Sequence, residues 1–288
     1  MKISIDTAAG FCPGVRNAIK MAEKELDKGN GLASLGSLLH NEKEMQRLEE
    51  CGLNLATIED IPDLKGKKIL FRAHGEPPIS YKLTNDNNVE VLDASCGVVR
   101  NLQKKIAAAT EEMLGSFGQV VVYGKHDHPE VVGLLGQTQE TGILVRNVGE
   151  LNKIDLDKPV RLFSQTTMDK DIYDDLYNIL IQRMEDHNNG DLIRYNTICR
   201  HVLNRIPSLS EFAAGHDVII FVSGRESSNG RKLFKICKGI NERSHFISDS
   251  GELDPRWFTG VSSVGVSGAA STPQWLMEEV ATKIEELN

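Results

Sequence analysis

Three stretches decide the fold: CPGVRNAI at residues 12–19, CGVVRNLQ at 96–103 and CRHVLNRI at 199–206. Each reads Cys-x-x-Val-x-Asn, through Cys12/Val15/Asn17, Cys96/Val99/Asn101 and Cys199/Val202/Asn204. The other two cysteines lack the pattern: Cys51 is followed by Asn54 and Ala56, Cys237 by Ile240 and Glu242. A short β-like run precedes each patterned cysteine (KISI, VEVL, LIRY), and helical periodicity follows in VRNAIKMAEKEL and VVRNLQKKIAAATEEML. The unit is a strand, a turn that carries cysteine, then a helix.

The repeat extends outward. A second loop lies 28, 32 and 28 residues beyond the three cysteines, at His40, His128 and Ser227. A third lies 62, 70 and 72 residues beyond them, at His74, Thr166 and Ser271. All nine loops follow a strand-like run and mostly precede a helical one. Such alternation implies parallel sheets with helices outside, and ligands beyond the carboxyl ends of the strands. The expected fold is therefore α/β, with three pseudo-symmetric lobes of mostly parallel sheet around a central metal-cluster site. The lobes would span 1–96, 97–198 and 199–288. The last helical stretch, PQWLMEEVATKIEEL, reads as packing.

Composition narrows the function. The chain has 288 residues, 40 % hydrophobic and 26 % charged, with a formal net charge of −8. That is ordinary for a globular protein and argues against a nucleic-acid footprint, which needs a basic stripe. No apolar run approaches the roughly 18 residues of a membrane span, and the start shows no secretory signal. Five cysteines without close pairs point to a reducing, cytoplasmic setting rather than a disulfide scaffold.

Three cysteines, one per copy of the Cys-x-x-Val-x-Asn unit, suit a metal held by thiolates. Structural zinc favours four ligands in close pairs, whereas a cubane on three cysteines keeps one iron open to substrate. The bland alternative is three buried structural thiols. His40, His74 and His128 occupy strand-end loops. Ser227, Ser228 and Asn229 form one S-S-N segment, and Ser271-Thr272-Pro273 another; both also read as helix caps. Helix starts with hydroxyls and imidazoles suit a phosphate or diphosphate. Glu130 reads either as a surface residue at a helix start or as a carboxyl of raised pKa that delivers protons. Thr166 reads as a cap or a proton-relay hydroxyl. Cys51 and Cys237 read as helix packing positions.

The segments GFCPGV, LLHN, RAHG, DASC, HPE, SQTT, TIC, SSN and GAASTP, in this order, resemble the 4-hydroxy-3-methylbut-2-enyl diphosphate reductase family. The match is collinear to about residue 280. The resemblance implies one [4Fe–4S] cluster per chain on Cys12, Cys96 and Cys199. It implies diphosphate contacts from His40, His74, His128, Ser227, Ser228, Asn229 and Ser271. It implies Glu130 as proton source, and Thr166 as a holder of the substrate hydroxyl. The activity implied is reductive loss of an allylic hydroxyl, the last step of the methylerythritol phosphate route to isoprenoid precursors. The expected partners are a small-molecule diphosphate and an external one-electron donor of the ferredoxin or flavodoxin type, with no nucleic acid and no membrane. Gly97-Val98 stands where many members have Pro-Phe, and His201-Val202 where many have Ala-Thr; neither change touches an implied ligand. Two rival readings remain at this point: a non-catalytic metal or redox-sensing protein, and a thiol-dependent enzyme without metal.

Overall fold

The computed structural model describes residues 1–29 and 31–287; the side chain of Ser228 lies outside the description. Among the described residues there are twelve strands and nine α-helices. The strands are β1 (Lys2–Ile5), β2 (Leu32–Leu35), β3 (Leu53–Ala56), β4 (Lys68–Phe71), β5 (Glu90–Asp93) and β6 (Gln119–Tyr123). They continue with β7 (Ile143–Val145), β8 (Val160–Ser164), β9 (Leu192–Arg194), β10 (Val218–Val222), β11 (Ser244–Ile247) and β12 (Ser263–Gly268). The helices are α1 (Pro13–Leu26), α2 (Glu42–Glu50), α3 (Pro78–Asp86), α4 (Gly97–Gly115) and α5 (Pro129–Leu135). They end with α6 (Lys170–Asp186), α7 (Arg200–Ala214), α8 (Ser228–Ile240) and α9 (Gln274–Glu286). Every one of the nine expected loops thus runs from a strand into a helix. Three further strands, β3, β7 and β11, carry no chemistry-bearing loop.

The fold is three α/β lobes, each built on four strands of parallel sheet. By compactness the chain divides into two units, residues 1–55 with 200–288, and 56–199. In the first unit the strand order is β1-β12-β10-β11. The central strand VIIFV is buried throughout, as expected for a parallel strand covered on both faces. On one face, Leu276, Met277, Val280 and Ile284 of α9 pack on Val218, Ile220, Val222, Val264 and Val266. This bears out the packing role of the last helix. On the other face, Leu209 and Ala213 of α7 and Leu233 of α8 cover Ile219 and Phe221.

The second unit repeats the order as β7-β6-β8-β9. Leu102, Ile106, Ala109 and Met113 of α4 cover Val120, Val122 and Phe163. In the same unit β4 and β5 pair in parallel.

Both complete sheets put the strand before a second loop next to the strand before a third loop: β10 beside β12, and β6 beside β8. The chain reverses its direction of travel across the sheet there, so the two loops leave toward opposite faces and open a crevice between them. The strand before each cysteine is a neighbour of a third-loop strand: β1 of β12, β5 of β4, and β9 of β8.

Candidate functional site

Each patterned cysteine is fixed by the same backbone contact. Its N–H donates to a carbonyl of the adjacent third loop: Cys12 to Ala270 at 3.2 Å, Cys96 to Ala73 at 3.0 Å and Cys199 to Thr166 at 2.9 Å. Each then opens a helix. Cys12 and Cys96 hold the N-cap positions of α1 and α4 without using their side chains as caps, and Cys199 immediately precedes α7. All three are partly exposed and none is in a disulfide. The two remaining cysteines differ. Cys237 is fully buried in α8, as expected, but Cys51 corrects the packing assignment: it is an exposed residue at the C-cap of α2. The helix ends there, so its apolar face does not extend to Cys51.

In the unit that contains β6 and β8, two loops meet at Glu130 and Thr166. Glu130 is only 2 % exposed. Its carboxylate accepts the Thr166 N–H at 2.7 Å on Oε1 and the Thr166 hydroxyl at 2.9 Å on Oε2. Burial pushes its pKa up to about 7, against the opposing pull of those two hydrogen bonds. Glu130 does sit at a helix start, yet the surface reading fails because the β6–α5 turn folds that start inward. His128 caps α5, its Nδ1 accepting the Glu130 N–H at 3.1 Å. In the neutral ring the proton is then on Nε2. The His74 and His128 rings lie edge to face, 5.4 Å apart. Thr166 caps no helix; Asp169 takes that role for α6.

Buried Gln103 supports this pair of loops. Its amide donates to the carbonyls of Glu76 at 3.1 Å and Gly133 at 3.3 Å, which ties the His74 loop to α5. Gln165 similarly accepts the Lys125 N–H at 3.1 Å, tying the Thr166 loop to the His128 loop. Sequence reasoning missed both. Gln103 carries a faint signal as a polar residue on the apolar stripe of α4; Gln165 carries none.

In the other unit Ser271 is the junction. Its hydroxyl lies 3.4 Å from that of Ser227 and donates to the His40 carbonyl at 3.3 Å. Ser227 caps α8 by accepting the Gly230 N–H at 3.0 Å. The cap reading fails for Ser271 and Thr272, because Pro273 holds the N-cap of α9. Thr272 instead accepts the Ala269 N–H at 3.0 Å and donates to Val222 at 2.7 Å, which shapes the turn. Asn229 borders a small cavity with Gly10, Arg205 and Ala270. Ser228 opens α8, but its side chain is outside the described residues. Gly224 is required here by close approach: a Cβ on it would stand 2.4 Å from the His40 carbonyl.

The fold is that of a three-lobed α/β protein whose sheets each present, at a strand end, one cysteine beside a loop that carries a hydroxyl or an imidazole. Comparison with known proteins makes the assignment specific. The family model described as LytB protein matches residues 3–285. A Bacteroides fragilis protein named 4-hydroxy-3-methylbut-2-enyl diphosphate reductase is 44 % identical over 287 residues, covering 99 % of this chain and 98 % of its own. A Parabacteroides distasonis protein of the same name is 44 % identical over 288 residues, covering 100 % and 99 %. The solved structure described as (E)-4-hydroxy-3-methyl-but-2-enyl diphosphate reductase, the terminal enzyme of the non-mevalonate pathway, has a TM-score of 0.77 at 32 % identity, with 99 % of both chains covered. The structure of the Plasmodium falciparum reductase has a TM-score of 0.81 at 22 % identity, covering 98 % of this chain and 87 % of that one, and shares the fold. The chain belongs to the LytB protein family.

Proposed function

We propose that this chain removes the allylic hydroxyl of (E)-4-hydroxy-3-methylbut-2-enyl diphosphate, giving isopentenyl and dimethylallyl diphosphate and water. Two electrons and two protons enter: one proton leaves with the hydroxyl oxygen as water, the other goes to carbon. The family name shared by relatives at 44 % identity supports this. The observation that carries the chemistry is Glu130, a buried carboxyl with a pKa of about 7 and no cation among the groups that set it. It holds a proton near neutral pH, as a general acid must.

Family membership implies a metal-cluster enzyme, and the donor set fits one. Cys12, Cys96 and Cys199 share one backbone setting and partial exposure, whereas Cys51 is exposed, Cys237 is buried and neither has that setting. Soft thiolates of this kind favour iron–sulfur, and three rather than four protein ligands suit a [4Fe–4S] cluster that also meets substrate. When bound, it supplies the reducing electrons and a Lewis-acidic centre. His40, His74, His128, Ser227, Ser228, Asn229 and Ser271 bind the diphosphate, aided by the N-terminus of α8. Thr166 orients the substrate hydroxyl while its N–H and hydroxyl hold the Glu130 carboxyl, and Glu130 protonates the departing oxygen. The sequence spans 1–96, 97–198 and 199–288 are the proposed functional repeat, and the sheets cut across them, since β1 of the first span pairs with β12 of the third. An external one-electron donor of the ferredoxin or flavodoxin type supplies the electrons, and the enzyme works in the cytoplasm, with no nucleic-acid or membrane partner. Among the described residues no helix is long and apolar enough to cross a membrane.

Anaerobic purification tests this reading. A brown protein with about four iron per chain, whose spectrum shifts when the diphosphate is added and which turns it over with an artificial reductant, upholds it. A colourless protein, or one indifferent to the diphosphate, overturns it.

A further inference from the structure

Arg205 is the one cation on the buried stripe Val202–Arg205–Leu209–Ala213 of α7. Its side chain is 7 % exposed and that of its partner Asp6 5 %. One guanidinium nitrogen, Nη2, donates to Asp6 Oδ2 at 2.6 Å, to Ser267 Oγ at 2.8 Å and to the Gly268 carbonyl at 3.4 Å. Ser267 completes the ring by donating to Asp6 Oδ2 at 2.9 Å. The other Asp6 oxygen accepts the Ala8 N–H at 2.9 Å. Asp6 begins the loop that ends at Cys12, and Gly268 is the last residue of β12, just before the loop that carries Ser271. The same two loops meet again where Cys12 N–H reaches the Ala270 carbonyl.

We propose that Arg205 is a positioning residue: with Asp6 and Ser267 it forms a buried ionic clasp that sets the Cys12 loop against the Ser271 loop. The neighbouring repeat supports this function for the location. There Thr197, two residues before Cys199, accepts the Ser164 N–H at 2.9 Å and donates to the Ser164 carbonyl at 2.7 Å. Ser164 and Ser267 both lie at the carboxyl ends of third-loop strands. A polar side chain therefore ties the cysteine-bearing segment to its neighbour in both places. Of these two, the Asp6 version is the ionic one and takes its cation from a helix. A planar guanidinium reaches several acceptors at once, which an ammonium on a flexible stem does less well.

The inference rests on Cys12 being a ligand and Ser271 a diphosphate contact. Its test is alkylation of the full-length protein, stripped of metal by chelator under reducing conditions, with each cysteine followed by mass spectrometry. In Arg205→Met we expect Cys12 to react at least about ten times faster than in the wild type, a local loss of restraint, with Cys51 and Cys96 unchanged. Arg205→Lys should recover part of the protection, and Ser267→Ala, which keeps the ion pair, should show a smaller rise. In the loaded enzyme the same variants should raise KM for the diphosphate more than they lower kcat. Equal acceleration at all cysteines, or an unchanged Cys12 in a folded variant, overturns the proposal. Should Arg205→Met fail to fold, Ser267→Ala decides. Loss of the functional reading itself would appear separately, as a wild-type protein without iron.

Discussion

Asp6 and Glu130 are buried to nearly the same degree, 4 % and 2 % exposed, yet the fold treats them in opposite ways. Asp6 meets a guanidinium; Glu130 meets an N–H and a hydroxyl of one threonine. A full countercharge compensates ionisation in a low-dielectric site, and neutral donors do so only in part. Asp6 is held in an ion pair, whereas burial pushes the Glu130 pKa up to about 7, where it can take and release a proton. Burial without a cation is what singles Glu130 out as the candidate proton donor.

The largest expected effect breaks the comparison on the Glu130 side. Glu130→Gln removes the proton while keeping shape, and turnover should fall about 10²-fold or more with substrate affinity little changed. Steady-state kinetics beside calorimetric binding would settle this, and undiminished turnover would falsify the assignment. On the other side, Arg205→Met strands the buried Asp6 charge and should lower stability by roughly 3–5 kcal/mol in urea unfolding.

The pH dependence sharpens the contrast. The folded-state pKa of Glu130 lies above its ordinary value of 4.5, at about 7, so folding favours the protonated form. Below the ordinary value the residue is neutral in both states and imposes nothing. As pH rises toward 7 the unfolded chain ionises freely, and a penalty of roughly 3 kcal/mol accumulates. Glu130→Gln should lack that penalty, so its stability relative to wild type rises across this window and levels off above it; parallel urea midpoints from pH 4 to 8 would show the divergence or its absence. Thr166→Val deletes a donor to the ionised form. The alkaline limb of the rate profile should then move up by about one unit, and a fixed limb would mean that another group titrates there.

The smallest effect concerns a more exposed relative of the clasp. Asp93, three residues before Cys96, pairs with Arg100 at 3.1 Å, their side chains 30 % and 46 % exposed. Arg100→Met should change stability by about 1 kcal/mol or less. A loss as large as that from Arg205→Met would show that position before a cysteine, not burial, sets the energy.

Much of this was legible before the structure. The three patterned cysteines, the nine strand-to-helix loops and the helix start at Ser227 all follow from local patterns of hydrophobicity and turn chemistry. What stayed hidden was pairing across distance. Nothing near Asp6 announces Arg205, 199 positions away, and nothing in SQTT says that its threonine grips a glutamate 36 positions earlier. Arg205 did leave a trace, a charge where helical spacing calls for an apolar side chain, but that trace names no partner. Ser271 and Thr272 read as caps because cap chemistry is local; the fold spends them on loop-to-loop and loop-to-strand bonds instead.

The sequence by itself determined the repeat, the class of fold and the candidate site residues, because periodicity and turn preferences act over a few neighbours. Tertiary structure alone decided which strand neighbours which, and so which loops share a crevice. It also decided which buried carboxyl is paired with a cation and which is held by a threonine. Those outcomes depend on desolvation and on contacts between residues far apart in the chain, which no local pattern encodes.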